Sequence, residues 1–187
     1  MAPDRVTLGR TGLVASVAGL GGGGASRLGL GTGGSGADAE ALVRRALDLG
    51  VTFFDTAESY GTEEAIGNAL RGVSRASFVL STKKSTWQDG PELRATALGP
   101  ALDASLKRLR LDHVDVYHLH GLSAALYDRA CAEWAPELQR LKRAGKIRWI
   151  GVTEAFESDR GHAMLSRAVA NGWPDVVMAG FNILNPS

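Results

Sequence analysis

The sequence has almost no excess charge of either sign, a single cysteine and no long apolar run. Its 21 lysines and arginines balance 20 aspartates and glutamates, and a formal charge of +1 excludes a strong field that would gather nucleic acid or an anionic membrane. The lone Cys131 excludes an internal disulfide, and the apolar runs are too short to cross a membrane. Because the chain does not open with basic residues followed by an apolar segment, we expect a cytoplasmic protein. Because its net charge is close to zero, we expect it to select its partners through a specific binding site.

The remaining composition is that of a globular protein, apart from glycine. Hydrophobic residues make up 44% and charged residues 22% of the 187 positions, which predicts one domain over residues 1–187 with a sizeable core. Glycine is in excess, with 24 residues, of which ten fall between Gly19 and Gly36. Such a cluster predicts a loop.

The glycine loop has three interpretations. Residues 19–24 match G-x-G-x-x-G after a strand, but a dinucleotide fingerprint needs a helix to open on that turn, and another dozen loop residues intervene here. A surface connector is the second interpretation. The third is a loop at the mouth of a barrel, where missing side chains let the backbone approach a ligand.

Short β-prone runs alternate with amphipathic helices along the chain. A hairpin around residues 9–12 leads into a strand over 14–20, and later strands are predicted to start near 51, 78, 114, 147 and 175. Helices are predicted over 38–49, 62–70, 98–109, 136–144 and 159–170, with Thr62 as the cap of the second and Pro100 in the opening of the third. One βα unit per step is typical of an α/β protein with a parallel sheet, either doubly wound or closed as a barrel.

Four chemically useful residues follow the predicted strands: Asp55, Tyr60, Lys83 and His120. Because the carboxyl ends of parallel strands share one face, we expect these side chains to converge. A tyrosine with a pKa near 10 donates a proton poorly at pH 7, and lowering that pKa by about 2–3 units needs ~3–4 kcal/mol of favourable charge or hydrogen bonding. Lys83 would supply that charge, Asp55 would keep the lysine protonated, and His120 would donate to or orient a carbonyl oxygen. The set predicts carbonyl reduction.

Each of these residues also has a purely structural explanation. Asp55 could simply begin a loop, Tyr60 could pack on the next helix, and Lys83 could be a solvated cation beside Lys84. His118 lies two residues before His120 on the same strand face, so spacing does not choose between the two. Metal binding by this histidine pair is a further alternative, although no third ligand has supporting spacing.

Several motifs together resemble the aldo-keto reductases. They are Gly9-Arg-Thr-Gly-Leu13, Phe54-Asp-Thr-Ala-Glu-Ser-Tyr-Gly61, Ser81-Thr-Lys83, Ser105-Leu-Lys-Arg-Leu109, Leu111-Asp-His-Val-Asp-Val-Tyr-His-Leu-His120 and Gly145-Lys-Ile-Arg-Trp-Ile-Gly-Val152. They run in the family's order over nearly the whole chain. The resemblance implies a (β/α)8 TIM barrel with an N-terminal hairpin at its bottom, and hydride transfer between a nicotinamide cofactor and a small aldehyde, ketone or sugar.

The resemblance also assigns roles to residues. It implies that Tyr60 is the general acid and base, that Asp55 and Lys83 tune it, and that His120 and Lys83 are the motif residues rather than His118 and Lys84. The implied cofactor is NADP, with NAD as the alternative. The residues implied to bind it are Gly21, Gly22, Asp55, Thr153, Glu154 and Met178.

The sequence departs from the family pattern in three places. Thr153-Glu154 replaces a Ser-Asn pair that holds the nicotinamide carboxamide, and Met178 replaces a glutamine on the sixth strand. Glu154 accepts hydrogen bonds but offers no donor. The chain also supplies about six βα units, so we expect an incomplete barrel. It could be a fragment of a longer enzyme, one of two complementing chains, or a non-catalytic cofactor-binding or regulatory relative; its oligomeric state stays open.

Overall fold

The chain begins with a β-hairpin that the computed structural model, which describes residues 2–88 and 92–183, places apart from the main sheet. Strands β1 (Arg5–Thr7) and β2 (Val14–Ser16) pair antiparallel around a 3₁₀ turn at Gly9–Thr11. Gly12 ends that turn with a φ of 69°, a backbone conformation that glycine adopts without steric cost.

The single strand predicted over 14–20 is wrong, because the chain divides it between two sheets. The hairpin strand ends at Ser16, and β3 (Gly19–Gly21) starts the parallel sheet. Between them the Val17 N–H donates to the Asp4 carbonyl at 2.8 Å, and the Ser16 hydroxyl donates to the Ala18 carbonyl at 2.6 Å. These bonds turn the backbone from one sheet to the other.

The main sheet has six parallel strands in sequence order, β3 to β8. After β3 they are β4 (Phe53–Asp55), β5 (Val79–Ser85), β6 (Val114–Leu122), β7 (Ile147–Glu154) and β8 (Val176–Met178). The five predicted strand starts agree with β4 to β8 to within about two residues, the usual uncertainty of such boundaries.

Helices connect the successive strands. They are α1 (Gly36–Asp48), α2 (Glu63–Leu70), α3 (Leu98–Leu109), α4 (Tyr127–Arg129), α5 (Ala135–Arg143) and α6 (Ala163–Asn171), and a π-helical turn at Ala130–Trp134 joins α4 to α5. A capping box begins α1, in which Ser35 and Asp38 satisfy each other's backbone N–H groups. Pro100 lies in the first turn of α3, where an intrahelical N–H bond is not needed.

Two predicted helix starts are corrected by the structure. Thr62 does not cap α2 with its side chain, because its hydroxyl bonds the Thr56 hydroxyl at 2.8 Å. Helix α6 begins at Ala163 rather than at 159, because the Asp159 carboxylate accepts the N–H groups of Ala163 and Met164 at 2.9 and 2.8 Å. Asp159 therefore serves as a capping group outside the helix.

Two apolar clusters lie on opposite faces of the sheet. On the outer face, buried side chains such as Phe54, Leu80 and Ile150 pack with those of the helices. On the inner face, Val79 and Val116 pack against Leu13 and Ala15 of the hairpin. The hairpin thus fills the amino end of the curved sheet, and the polar strand ends remain at the carboxyl end.

Buried carboxylates fasten the outer layer to the strands. Asp115 is fully buried and accepts hydrogen bonds from Arg75 at 2.5 Å, from Arg148 at 2.9 Å and from the Leu80 N–H at 2.9 Å. Glu63 accepts from Thr82 of β5 and from Arg108 of α3, both at 2.6 Å. Since an unpaired buried charge is costly, these contacts fix which helix meets which strand.

Candidate active site

The carboxyl ends of β4, β5 and β6 bring the predicted polar residues together. Asp55 is the last residue of β4, Lys83 lies in β5 opposite His118, and Ser85 lies opposite His120. Since strand side chains alternate between faces, Lys83, His118 and His120 all belong to the inner face of the sheet.

Tyr60 lies over this strand edge in a 3₁₀ turn at Glu58–Tyr60, which Gly61 ends with a φ of 74°. Its hydroxyl is 3.2 Å from Nε2 of His120, and the two rings meet edge to face with centroids 5.4 Å apart. The Lys83 Nζ lies 5.1 Å from the centre of the tyrosine ring. The phenol, the imidazole and the ammonium therefore form one group.

The glycine run explains how Tyr60 is seated. A Cβ added to Gly23 would lie 2.7 Å from Cζ and Cε2 of the Tyr60 ring, closer than carbon atoms approach each other. At Gly22 an added Cβ would lie 2.6 Å from the Thr62 hydroxyl oxygen. The bare backbone of residues 22–23 is thus one wall of the tyrosine site.

Lys83, which is buried, and Asp55, whose side chain is 21% exposed, form an ion pair behind the tyrosine. The lysine Nζ donates to Asp55 Oδ2 at 2.5 Å and to the Thr56 carbonyl at 2.8 Å, and its side chain is 1% exposed. The Ser81 hydroxyl donates to the other oxygen of Asp55. Burial lowers the pKa of Lys83, and the Asp55 carboxylate opposes that shift.

The expected lowering of the Tyr60 pKa is wrong for this structure. Burial, and next to it the Asp55 carboxylate, raise the pKa of Tyr60 above its usual value of 10.0. The reason is that the Asp55 charge offsets the Lys83 charge, so the phenol gains little net positive potential while it loses water. Tyr60 therefore keeps its proton at neutral pH.

His120 is neutral at the same pH. Its burial, and then the Lys83 charge, lower its pKa to about 4. Its Nδ1 is buried and has no hydrogen-bond partner among the described residues. Because an orphaned buried N–H is rarer and costlier than an orphaned lone pair, the proton belongs on Nε2, which donates to the Tyr60 oxygen. That assignment leaves the tyrosine O–H free to donate to a ligand.

His118 and Lys84 have other surroundings. The His118 ring lies against β7, where a Cβ added to Gly151 would be 2.1 Å from Nδ1, and burial lowers its pKa to about 3. Lys84 pairs with Glu58 at 2.8 Å. The structure thus brings His120 and Lys83 to Tyr60, in the arrangement that the motifs implied.

Four of the predicted cofactor residues border the same mouth. Gly21 ends β3 opposite Asp55, and no atom lies within 4 Å of a Cβ added to it. The Gly22 N–H donates to the Asp55 carbonyl at 2.7 Å. Thr153 accepts the Gly121 N–H at 2.8 Å, and Met178 pairs with Thr153 in the sheet.

Glu154 is engaged within the chain. One carboxylate oxygen accepts the Gly180 N–H at 2.5 Å, and the other lies 2.6 Å from Nδ1 of His162. Its side chain is 1% exposed. A hydrogen bond from a carboxamide nitrogen would have to use a second lone pair of a Glu154 oxygen that is already bonded.

The sequence analysis missed Trp87. Its ring is 52% exposed and meets the His120 ring edge to face at 4.4 Å. A Cβ added to Gly121, whose φ is 66°, would lie 2.8 Å from that ring. Trp87, His120, Gly121 and residues 154–158 line a cavity of about 470 Å³. No local pattern in the sequence marks Trp87 as a site residue.

Known proteins share this fold and these motifs. The sequence model of the Aldo/keto reductase family matches residues 21–186. The chain therefore belongs to the aldo/keto reductase family, and its six parallel strands form an incomplete (β/α)8 barrel. Both predictions, of family and of fold, are confirmed.

Particular relatives show how much of such a protein is present. L-galactose dehydrogenase from Arabidopsis thaliana is 40% identical over 152 residues, which cover 78% of this chain and 47% of that protein. Aldo-keto reductase yakc [NADP(+)] from Schizosaccharomyces pombe is 33% identical over 125 residues, 62% of this chain and 36% of that protein. The crystal structure of an aldo/keto reductase from Brucella melitensis, 26% identical, superposes with a TM-score of 0.72 over 96% of this chain and 64% of its own. The chain thus spans about half the length, or less, of the curated relatives it matches.

Neither a membrane-spanning helix nor a metal-binding cluster occurs in the described part of the chain. No helix within residues 2–88 or 92–183 is long and apolar enough to cross a membrane. Within the same ranges, no group of three His, Cys, Asp or Glu side chains could hold a metal ion.

Proposed function

We propose that this protein is an NADP-dependent oxidoreductase that interconverts the carbonyl and the alcohol of a small aldehyde, ketone or sugar. The observation that carries the proposal is the 3.2 Å contact between the Tyr60 hydroxyl and His120, with the Lys83–Asp55 ion pair beside it. The names of the two curated relatives, one a sugar dehydrogenase and one NADP(+)-dependent, support the substrate class and the cofactor. NAD is the alternative cofactor.

The residues at the mouth fit a nicotinamide cofactor. The bound cofactor would supply or accept the hydride. Gly21 leaves open space above the end of β3, and the Thr153 hydroxyl hydrogen is donated to no described residue, so it is free for an amide oxygen. Gly22, Asp55 and Met178 would border the bound ring. Glu154 would contact it through an oxygen that already holds Gly180 or His162.

In our mechanism Tyr60 is the group that moves the proton. It is protonated at neutral pH, and the Nε2–H of His120 leaves its O–H directed at the mouth. When the proton passes to a carbonyl oxygen, the phenolate keeps the His120 hydrogen bond, and the centre of its ring lies 5.1 Å from the Lys83 ammonium nitrogen. Asp55 holds that ammonium in its charged form. His120, with a pKa of about 4, is neutral at pH 7; its Nε2–H holds the Tyr60 oxygen in place, and it does not itself donate a proton to the carbonyl.

The test is Tyr60→Phe, which removes the proton donor and keeps the ring. We expect the NADPH-dependent reduction of an aldehyde to fall by about 10²-fold or more. Tyr117→Phe is the matched control, because the Tyr117 hydroxyl is buried and has no hydrogen-bond partner among the described residues. Comparable rates in the two variants would rule out Tyr60 as the donor.

A second candidate function is cofactor binding without turnover. It is favoured by the engagement of Glu154 with His162 and Gly180, at the position where the family holds the carboxamide. Equilibrium binding of NADPH with no reduction of a broad panel of carbonyl compounds would support this candidate. Turnover of any carbonyl compound in the panel would rule out this second candidate function.

Compartment and domain organisation complete the proposal. We place the protein in the cytoplasm, which is consistent with its free, partly buried Cys131. Residues 1–187 belong to one domain, because the clusters on both faces of the sheet draw on elements from the hairpin to α6.

A further inference from the structure

The cavity beside His120 has carboxylates in its wall, and their negative charge affects which substrates can bind there. Trp87 forms one of its sides and residues 154–158 form the other. A carbonyl compound bound there would present its oxygen to Tyr60 and His120, whose contact is 3.2 Å. The inference drawn from this charge therefore rests on the proposed function.

The two lysines of β5 at the mouth end of the sheet are already paired. Lys83 holds Asp55 at 2.5 Å, and Lys84 holds Glu58 at 2.8 Å. Because each of these lysines has a carboxylate partner in direct contact, together they add little net positive potential at the mouth.

Two further carboxylates lie in the cavity wall itself. Glu154 is buried at the base of the segment, where Gly180 and His162 fix its position, and Glu157 lies on the exposed part of the same segment. Among the described residues that line the cavity, none is a lysine or an arginine. Arg160 follows three residues after Glu157 and lies outside this wall.

Trp87 adds an apolar face to these acceptors. Its ring is half exposed and is held by the edge-to-face contact with His120 at 4.4 Å. An aromatic face offers contact to the C–H groups of a carbon chain or a sugar ring, while carboxylate oxygens accept hydrogen bonds from hydroxyls. The wall therefore matches a ligand with hydroxyl donors and no negative charge.

We infer that this site selects neutral, hydroxylated carbonyl compounds and discriminates against those that carry a carboxylate or a phosphate. An anionic substituent would approach Glu157 in a partly desolvated cavity, where like charges repel more strongly than in bulk water, whereas Glu154 is already engaged by His162 and Gly180. Discrimination of this kind acts by penalising the wrong ligand rather than by strengthening the right one.

The experiment compares D-glyceraldehyde with D-glyceraldehyde 3-phosphate, which share the reacting aldehyde and differ by one phosphate. The ratio of their kcat/KM values with NADPH is measured in the wild type, in Glu157→Gln and in Glu64→Gln. Glu64 is an exposed carboxylate that does not line the cavity, 70% exposed and 3.9 Å from Arg110. Binding of both compounds is also followed by tryptophan fluorescence, with Trp87→Phe identifying the signal that comes from the cavity.

We expect the wild type to prefer the neutral aldehyde. In Glu157→Gln the preference should fall by about five- to tenfold, equivalent to about 1–1.4 kcal/mol of removed repulsion. High salt should shrink the wild-type preference, because mobile ions screen exposed charges. Glu64→Gln should leave the ratio unchanged.

The outcomes separate this inference from the proposed function. Turnover of both aldehydes with equal efficiency, unaltered by Glu157→Gln, would overturn the charge selection and leave the oxidoreductase intact. No turnover, with weaker fluorescence-detected binding of the phosphate compound that Glu157→Gln relieves, would overturn the proposed function and support the charge selection. An absence of both turnover and binding would overturn both.

Discussion

The two ends of the sheet each contain a carboxylate paired with a basic side chain, fully buried at one end and 21% exposed at the other, and the two pairs have different roles. At the amino end, Asp115 is fully buried and gathers two arginines and the Leu80 N–H. At the carboxyl end, Asp55 holds one lysine and the Ser81 hydroxyl, and unused polar atoms remain beside it, such as His120 Nδ1. The first arrangement joins elements of the fold, whereas the second holds a charge next to a tyrosine. The two ion pairs therefore have different roles. Substitutions around Asp115 should mainly lower the free energy of unfolding, and substitutions around Asp55 should mainly lower the reaction rate.

The largest effect is expected at the carboxyl end, from Lys83→Met. Removing the ammonium leaves the forming phenolate of Tyr60 without its nearest cation, so the reduction rate should fall by about 10²-fold or more. The free energy of unfolding should fall only modestly, because Asp55 loses its cation but its side chain is 21% exposed, so water compensates part of its charge. Rates and urea unfolding are measured on the same preparation. A large loss of stability with a proportional loss of rate would place Lys83 with Asp115 as a structural residue.

The converse is expected from Asp115→Asn at the amino end. Weakening its contacts with Arg75 and Arg148 should lower the free energy of unfolding by about 2–4 kcal/mol. The rate per folded molecule should stay within about twofold of the wild-type rate. Asp115 and its two arginines lie at the amino end of the sheet, whereas Tyr60 lies at the carboxyl end. Urea unfolding followed by circular dichroism measures the stability. A rate loss that exceeds the unfolded fraction would show that the two ends are coupled.

The pH dependence of stability sharpens the comparison at His118, which lies on the inner face next to Lys83. Its pKa is about 3 in the folded chain and near 6.5 when unfolded, so between these values the unfolded state binds more protons. Stability should therefore fall as the pH drops below about 6.5, by roughly 2 kcal/mol at pH 5 from this residue. In His118→Gln the slope of unfolding free energy against pH should be shallower over that window. An unchanged slope would mean that His118 is not the group responsible.

The smallest effect is expected from Gly23→Ala. The new methyl group would lie 2.7 Å from the Tyr60 ring and shift the hydroxyl from its contact with His120, which should lower kcat by about tenfold. Gly36→Ala is the control, because no atom lies within 4 Å of its added Cβ. Crystallography or the ultraviolet spectrum of the tyrosine would report the shift. An unchanged kcat would show that the ring adjusts freely.

The strands and the shared edge were predictable because they depend on local pattern. A period of two places His118 and His120 on one face of their strand, and the motif order supplied the choice of Lys83 and His120 over Lys84 and His118. The direction of the Tyr60 pKa shift was not predictable, since it depends on the burial of the phenol and on how fully Asp55 of β4 offsets Lys83 of the neighbouring β5. Likewise, nothing local indicates that Trp87 reaches His120 or that Glu154 binds Gly180, because those contacts join segments separated by about 25 to 33 residues. The break after Ser16 was also not predicted, because residues 14–20 form one β-prone run in the sequence.

The contact between His118 and Gly151 links two positions that the sequence separates by 33 residues. The imidazole takes the volume that a side chain on the adjacent strand would need, so neither position is free to change alone. Among relatives, a residue larger than glycine at 151 should accompany a smaller one at 118. The residues at these two positions would then change together during evolution. An increase in side-chain volume on one strand would be matched by a decrease on its neighbour, so that their summed volume stays constant.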